Sequence, residues 1–159
     1  MPYLIDGNNL IGHLPFLEIK TRESRFELIG RLLVFQKIKN TRVTVVFDGP
    51  PDPNITEEDF KGLPFYVFYP ERGQDADEVI KKIISKETDL RRFFVVSSDR
   101  EIKQFAKSEG AKILNCEEFQ KHLKKAQKEY KRVKELEKNV DLPTPLEVKF
   151  WANIFERKK

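Results

Sequence analysis

Strand-like segments alternating with helical ones predict an α/β protein, a three-layer α/β/α sandwich around a mainly parallel five-stranded sheet. Two runs, residues 43–47 and 93–96, are continuously apolar, as strands buried on both faces are. A third observation bears on function. Three strand-like runs lead into an aspartate, at Asp6, Asp48 and Asp99, while a fourth, Asp77, opens an apolar-periodic stretch. Strands of a parallel sheet deliver the residues at their carboxyl ends to one edge, where open α/β folds place ligands.

Residues 2–6 read as the first strand, ending in an acidic turn, Asp6-Gly7-Asn8-Asn9. Ser24-Arg25-Phe26-Glu27 has the spacing of a capping box and starts a helix through Leu28, Ile29, Leu32 and Leu33 to about Lys39. Residues 42–47 form the second strand, and Pro50-Pro51-Asp52-Pro53-Asn54 then forces a loop, since proline fixes φ and lacks a donor. Residues 65–69 are the third strand, 75–86 a helix, 93–96 the fourth strand and 98–108 another helix. Gly110 stops that helix, and residues 111–114 are a short fifth strand. Asn115 and Glu118 open a long helix with one apolar stripe, Phe119, Leu123, Ala126, Tyr130 and Val133. Thr144-Pro145-Leu146-Glu147 starts a last helical segment carrying Phe150, Trp151, Ile154 and Phe155.

With 159 residues the chain is expected to be a single domain, residues 1–116 as its α/β core and 117–159 as a basic helix with an aromatic C-terminal segment. Its one cysteine, Cys116, cannot form an internal disulfide, which fits a reducing cytoplasm. No apolar run approaches the ~20 residues of a membrane helix, and the N-terminus enters a strand directly, so neither membrane nor signal peptide is expected. The net charge of +4 is uneven: residues 120–138 hold eight Lys/Arg against three Glu. A polyanion is drawn to such a surface, although a solvated helix face has the same composition.

Acidic groups gathered at one edge repel one another unless a hard cation holds them. In the helix beginning near Asp75, Ile80, Ile83 and Ile84 define the buried face. Asp77 lies three before Ile80 and seven before Ile84, on the inward side of the first turn, while Glu78 shares the solvent side with Lys81 and Lys82. Each acid also has a plain structural reading. Asp-Gly is common turn chemistry at positions 6 and 48. Asp75 is a natural N-cap, and Asp99 favours a helix start, with Ser98 and Glu101 as a capping box. Oxygen ligands without a Cys/His cluster select Mg²⁺ or Mn²⁺ over zinc.

Asp-Gly-Asn-Asn after the first strand, Phe-Asp-Gly after the second, Ala-Asp-Glu at a helix start and Ser-Ser-Asp after the fourth together resemble the YacP-like NYN domains of the PIN-like (FLAP nuclease-like) superfamily of metal-dependent ribonucleases. The resemblance implies a strand order of 3-2-1-4-5 and a Mg²⁺ or Mn²⁺ site with Asp6, Asp77 and Asp99 as its acidic, catalytic core. It implies Asp48 as a fourth metal ligand and Asn9, Ser97 and Ser98 as supporting polar residues. No role is carried onto Asn8. The implied activity is endoribonuclease cleavage of mRNA or structured RNA, with the ribosome as a partner.

Other residues add less. Arg72, in the loop before Asp77, is a candidate phosphate contact or a plain loop charge. Lys121, Lys124, Lys125 and Lys128 are candidates for guiding RNA. His13 and His122 lack partners at ligand spacing, and no phosphate-binding glycine loop is present. The cluster Phe150, Trp151 and Phe155 either folds onto the domain or docks on a partner. Three functional classes fit these features: a metal-dependent endoribonuclease, a catalytically silent RNA- or ribonucleoprotein-binding module, and a small-molecule phosphohydrolase.

Overall fold

The computed structural model describes residues 1–14, 22–136 and 149–150. Strands β1 (Tyr3–Asp6), β2 (Val43–Val46), β3 (Phe65–Phe68), β4 (Phe94–Val96) and β5 (Lys112–Leu114) form one sheet in the order β3-β2-β1-β4-β5. Every neighbouring pair is parallel, so the expected order holds and the sheet is wholly parallel. The order reverses at β1, which puts the ligand crevice of such folds at the carboxyl ends of β1 and its neighbours.

Among the described residues five α-helices flank the sheet: α1 (Gly7–Gly12), α2 (Arg22–Lys39), α3 (Ala76–Lys86), α4 (Arg100–Glu109) and α5 (Cys116–Leu136). Side chains alternate along a strand, so β1, β2 and β4 each feed two cores. Tyr3, Ile5, Val45 and Phe47 join Leu28, Leu32 and Phe119 on the face covered by α1, α2 and α5. Leu4, Val46 and Val95 join Ile80, Ile84 and Ile102 on the face covered by α3 and α4. The stripe of α5 packs as its spacing predicts, with Phe119, Leu123, Ala126 and Tyr130 buried. Asn115 and Glu118 cap it reciprocally: the Asn115 N–H donates to Glu118 Oε1 (3.1 Å) and the Glu118 N–H to Asn115 Oδ1 (2.8 Å). Gly110 closes α4 at φ 98°. Among the described residues no helix is long and apolar enough to cross a membrane.

Three local expectations are corrected. The acidic turn at 6–9 is the first turn of a helix, since α1 begins directly after β1. Ser24 and Glu27 do not cap α2, which begins at Arg22; both are buried inside the helix. Residues three apart share a helical face wherever they stand, so capping spacing recurs within a helix. Ser98 does not cap α4 either: the cap is Asp99. At the C-terminal end, Phe150 is buried with its ring 5.3 Å from Phe26 and 5.6 Å from Phe60. Trp151, Ile154, Phe155 and the expected cap at 144–147 lie outside the described residues.

Gly7 is what allows the abrupt junction of β1 and α1. A Cβ there would stand 2.6 Å from the Phe47 ring and 2.9 Å from the Val46 carbonyl oxygen. Gly7→Ala is therefore expected to destabilise the protein by about 1–3 kcal/mol, the usual cost of overpacking. Urea unfolding checks this, and an unchanged midpoint would refute the close approach.

Candidate metal centre

Strand periodicity assembles the site. Asp6 shares the face of Leu4, Asp48 that of Val46 and Ser97 that of Val95, and all three of these apolar residues lie in the core beneath α3 and α4. The first turn of α3 contributes Asp77 from above. It is part-buried while Glu78 is exposed, as the helix phase requires. Asp75 is the N-cap of α3, accepting from the Glu78 N–H at 2.9 Å. The four expected ligands thus gather at one edge.

Asp6 has the most unusual environment. Only 6% of its surface is exposed, and it makes no capping bond although it is the N-cap of α1. The Ser97 hydroxyl donates to Asp6 Oδ2 at 2.9 Å and in turn accepts from the Asp99 N–H at 3.0 Å. The Asp6 carboxyl is pushed up to about 7, by burial first and then by Asp77 and Asp48, against the lowering effect of the Ser97 bond. The Asp77 carboxyl is also raised, by burial first and then by Asp99, Asp75 and Asp48. Among the described residues no lysine or arginine forms an ion pair with Asp6, Asp48, Asp77 or Asp99.

The outer two acids are each half engaged. Asp48, exposed, accepts from the Ala76 N–H at 3.2 Å through Oδ1. Asp99 accepts from the Ile102 N–H at 3.1 Å, so its structural role as a cap is real. Among the described residues no three His, Cys, Asp or Glu side chains come close enough to hold one ion directly. The donor set fits a hydrated hard cation, because Mg²⁺ keeps several waters and takes only one or two carboxylates directly. Asp6 and Asp77, with Asp48 and Asp99 beside them, are the side chains that would hold such an ion.

Asparagines hold the acidic segments together, one of them unforeseen. Asn8 Oδ1 accepts from the Asp48 N–H at 3.0 Å, tying the end of β2 to α1. Asn9 Oδ1 accepts from the Ser98 N–H (2.8 Å) and the Cys116 thiol (3.1 Å), tying in the β4 end and the start of α5. Ser98 Oγ accepts from the Cys116 N–H at 2.9 Å. The missed signal was the doubled asparagine, one amide for each neighbouring strand. Arg25 was missed too. Its Nη2 donates to the Asp48 carbonyl at 2.5 Å, and its guanidinium lies 5.4 Å from the Phe47 ring centre and 5.8 Å from that of Tyr69. His13 Nδ1 is 2.8 Å from the Asn9 carbonyl. Arg72, Lys121, Lys124, Lys125 and Lys128 are exposed and do not join the acids.

The Asp6 shift carries a stability prediction. In the unfolded chain this carboxyl ionises near 3.8, and in the fold only near 7. Between those values the native state binds more protons, so the stabilisation is complete below about pH 4 and is lost as pH rises through about 7. Asp6→Asn should remove that slope. In chelator at pH 8 the variant should melt above wild type, by about 2–4 °C for each kcal/mol of buried charge relieved. A variant that melts lower at pH 8 would overturn the electrostatic reading.

The comparisons with known proteins agree with this architecture. The chain matches the YacP-like NYN domain over residues 3–156. No curated protein matches it. Two crystal structures of Rae1 (YacP) from Bacillus subtilis are similar in fold. One, of a single-substitution mutant, has a TM-score of 0.71 and 23% identity over 93% of this chain and 89% of that one. The other has a TM-score of 0.71 and 24% identity over 87% of this chain and 82% of that one. The chain belongs to the YacP-like NYN domain family.

Proposed function

We propose that this protein is a Mg²⁺- or Mn²⁺-dependent endoribonuclease that hydrolyses phosphodiesters of mRNA or structured RNA, ribosome-bound mRNA among its substrates. The observation that carries the reading is Asp6, a nearly closed-off carboxylate pressed by Asp77 and Asp48 and given no cationic partner among the described residues. A fold tolerates such a group where it serves a function, and a cation placed beside it would favour its ionised form. Membership of the NYN family supports the same chemistry.

A bound ion would supply Lewis acidity and an activated water at the phosphodiester. The chain's own residues have separable tasks. Asp6 and Asp77 bind; Ser97 orients Asp6 and holds the Asp99 amide; Asn8 and Asn9 keep the flanking segments in place. The basic side chains are suited to the polyanion. Lys121, Lys124, Lys125 and Lys128 are exposed on α5, whose first residue is bonded to Ser98 at the acidic edge. Arg72 is exposed on the loop before Asp77.

One observation favours the non-cutting alternative, an RNA-binding module: no three acids converge on a point among the described residues. Substitution separates the two. Asp6→Asn and Asp77→Asn should reduce cleavage of RNA in Mn²⁺ to background while the far-ultraviolet spectrum stays native. Ser97→Ala should lose about 10–100-fold, as removal of an outer-shell partner does. Full activity in either Asn variant sinks the assignment, and hydrolysis of a phosphomonoester with none of RNA moves it to a small-phosphate hydrolase. Changing Lys121, Lys124 and Lys125 to Gln should reduce the salt slope of RNA binding by about 0.7 for each lysine on a phosphate. An unchanged slope refutes the guiding role.

A further inference from the structure

We propose that Tyr66 and Phe68 form a stacking platform for unpaired bases of RNA beside the acidic edge; the choice of RNA as ligand rests on the nuclease reading. Both lie on the edge strand β3, Tyr66 with 48% and Phe68 with 44% of its surface exposed, while Phe65 is buried in the core. Tyr66 is registered with Thr44 and Phe68 with Val46, so both rings stand on the α3 face. There α3 packs over β1 and β2 and leaves the two rings to solvent. Bare aromatic rings on an edge strand invite edge-to-edge association, so their exposure calls for a use.

The surroundings of the rings indicate the occupant. The Phe68 carbonyl accepts from the Phe47 N–H at 3.0 Å, and the next residue after Phe47 is Asp48. The platform is therefore continuous with the acids. Exposed cations bracket it along the chain, Lys61 before the strand and Arg72 after it, and the same connection then reaches Asp77. A groove of about 740 Å³ runs along the edge of β3, lined by Tyr66 and Phe68 and, from the opposite face, by Phe60 and Phe65, with Thr56, Glu57 and Lys61 among its polar residues. That size is within the ~300–1,000 Å³ of ligand clefts. Same-face residues on a parallel strand are about 6.6 Å apart. Splayed bases of single strands stack on such sheet-borne rings, while phosphates seek the flanking cations.

The test measures binding of a labelled oligouridine by fluorescence anisotropy in chelator, where no cleavage intervenes. Wild type is compared with the double variants Tyr66→Leu/Phe68→Leu, apolar without a π face, and Tyr66→Phe/Phe68→Tyr, which keeps both rings. The Leu pair is expected to weaken binding about tenfold or more, and the ring-keeping pair to bind as wild type, with all three melting alike. The platform is overturned if the Leu pair binds as tightly as wild type or if wild type shows no binding. It is equally overturned if the rings serve instead to join two copies, seen as a dimer that the Leu pair dissolves. If no variant cleaves in Mn²⁺ yet the Leu pair still weakens binding, the nuclease reading fails and the platform stands.

Discussion

A carboxylate closed off at the end of the central strand is the constraint around which the molecule is organised. Ionising Asp6 there is unfavourable, because burial removes water and two further acids face it. The sheet imposes this placement: a two-residue period and a fully parallel register bring Asp6, Asp48 and Ser97 onto one face, and α3 closes over them with Asp77. The hydrophobic cores on both faces supply the stability that tolerates the strain. Local rules of favourable burial are broken at this edge, as is usual where function outweighs stability.

The polar network around Asp6 holds the edge in register. Asn8 and Asn9 leave the end of β1 and reach in opposite directions, one to the residue after β2 and the other to the loop after β4. Each satisfies a backbone donor that the sheet leaves unpaired at its rim. Ser97 performs the same service for the Asp99 amide while donating to Asp6. Three strands that meet only through their ladder thus acquire a second set of connections at the point where the chemistry is placed.

Much of this was legible from residue types. The apolar runs located every strand, and the phase of Ile80 and Ile84 separated Asp77 from Glu78. The Asn115–Glu118 box was readable because an exposed helix start depends on its own side chains. The features that could not be read depended on tertiary approach. α1 exists in place of a turn because Gly7 lets the backbone pass against Phe47. Ser24 and Glu27 mimic a cap that burial inside α2 rules out. Arg25 looked like one polar residue in a capping pattern, and only the fold brings it across to the Asp48 carbonyl. The metal-site expectation was legible as a set of acids at one edge, while their distances were not, since spacing in sequence does not determine convergence in space.

The direct passage of β1 into α1 gives the two sides of the crevice different anchorage. Asp6 ends a strand and stands at the N-cap position of the helix immediately after it, so no loop intervenes between sheet and helix at this point. Asp48 stands on an exposed turn beside Gly49, whose φ of 78° suits a residue without a Cβ, and Arg25 holds that turn by its carbonyl. The Asp48 side of the crevice therefore depends on side-chain bonds from Asn8 and Arg25 for its position, whereas Asp6 takes its position from the central strand itself.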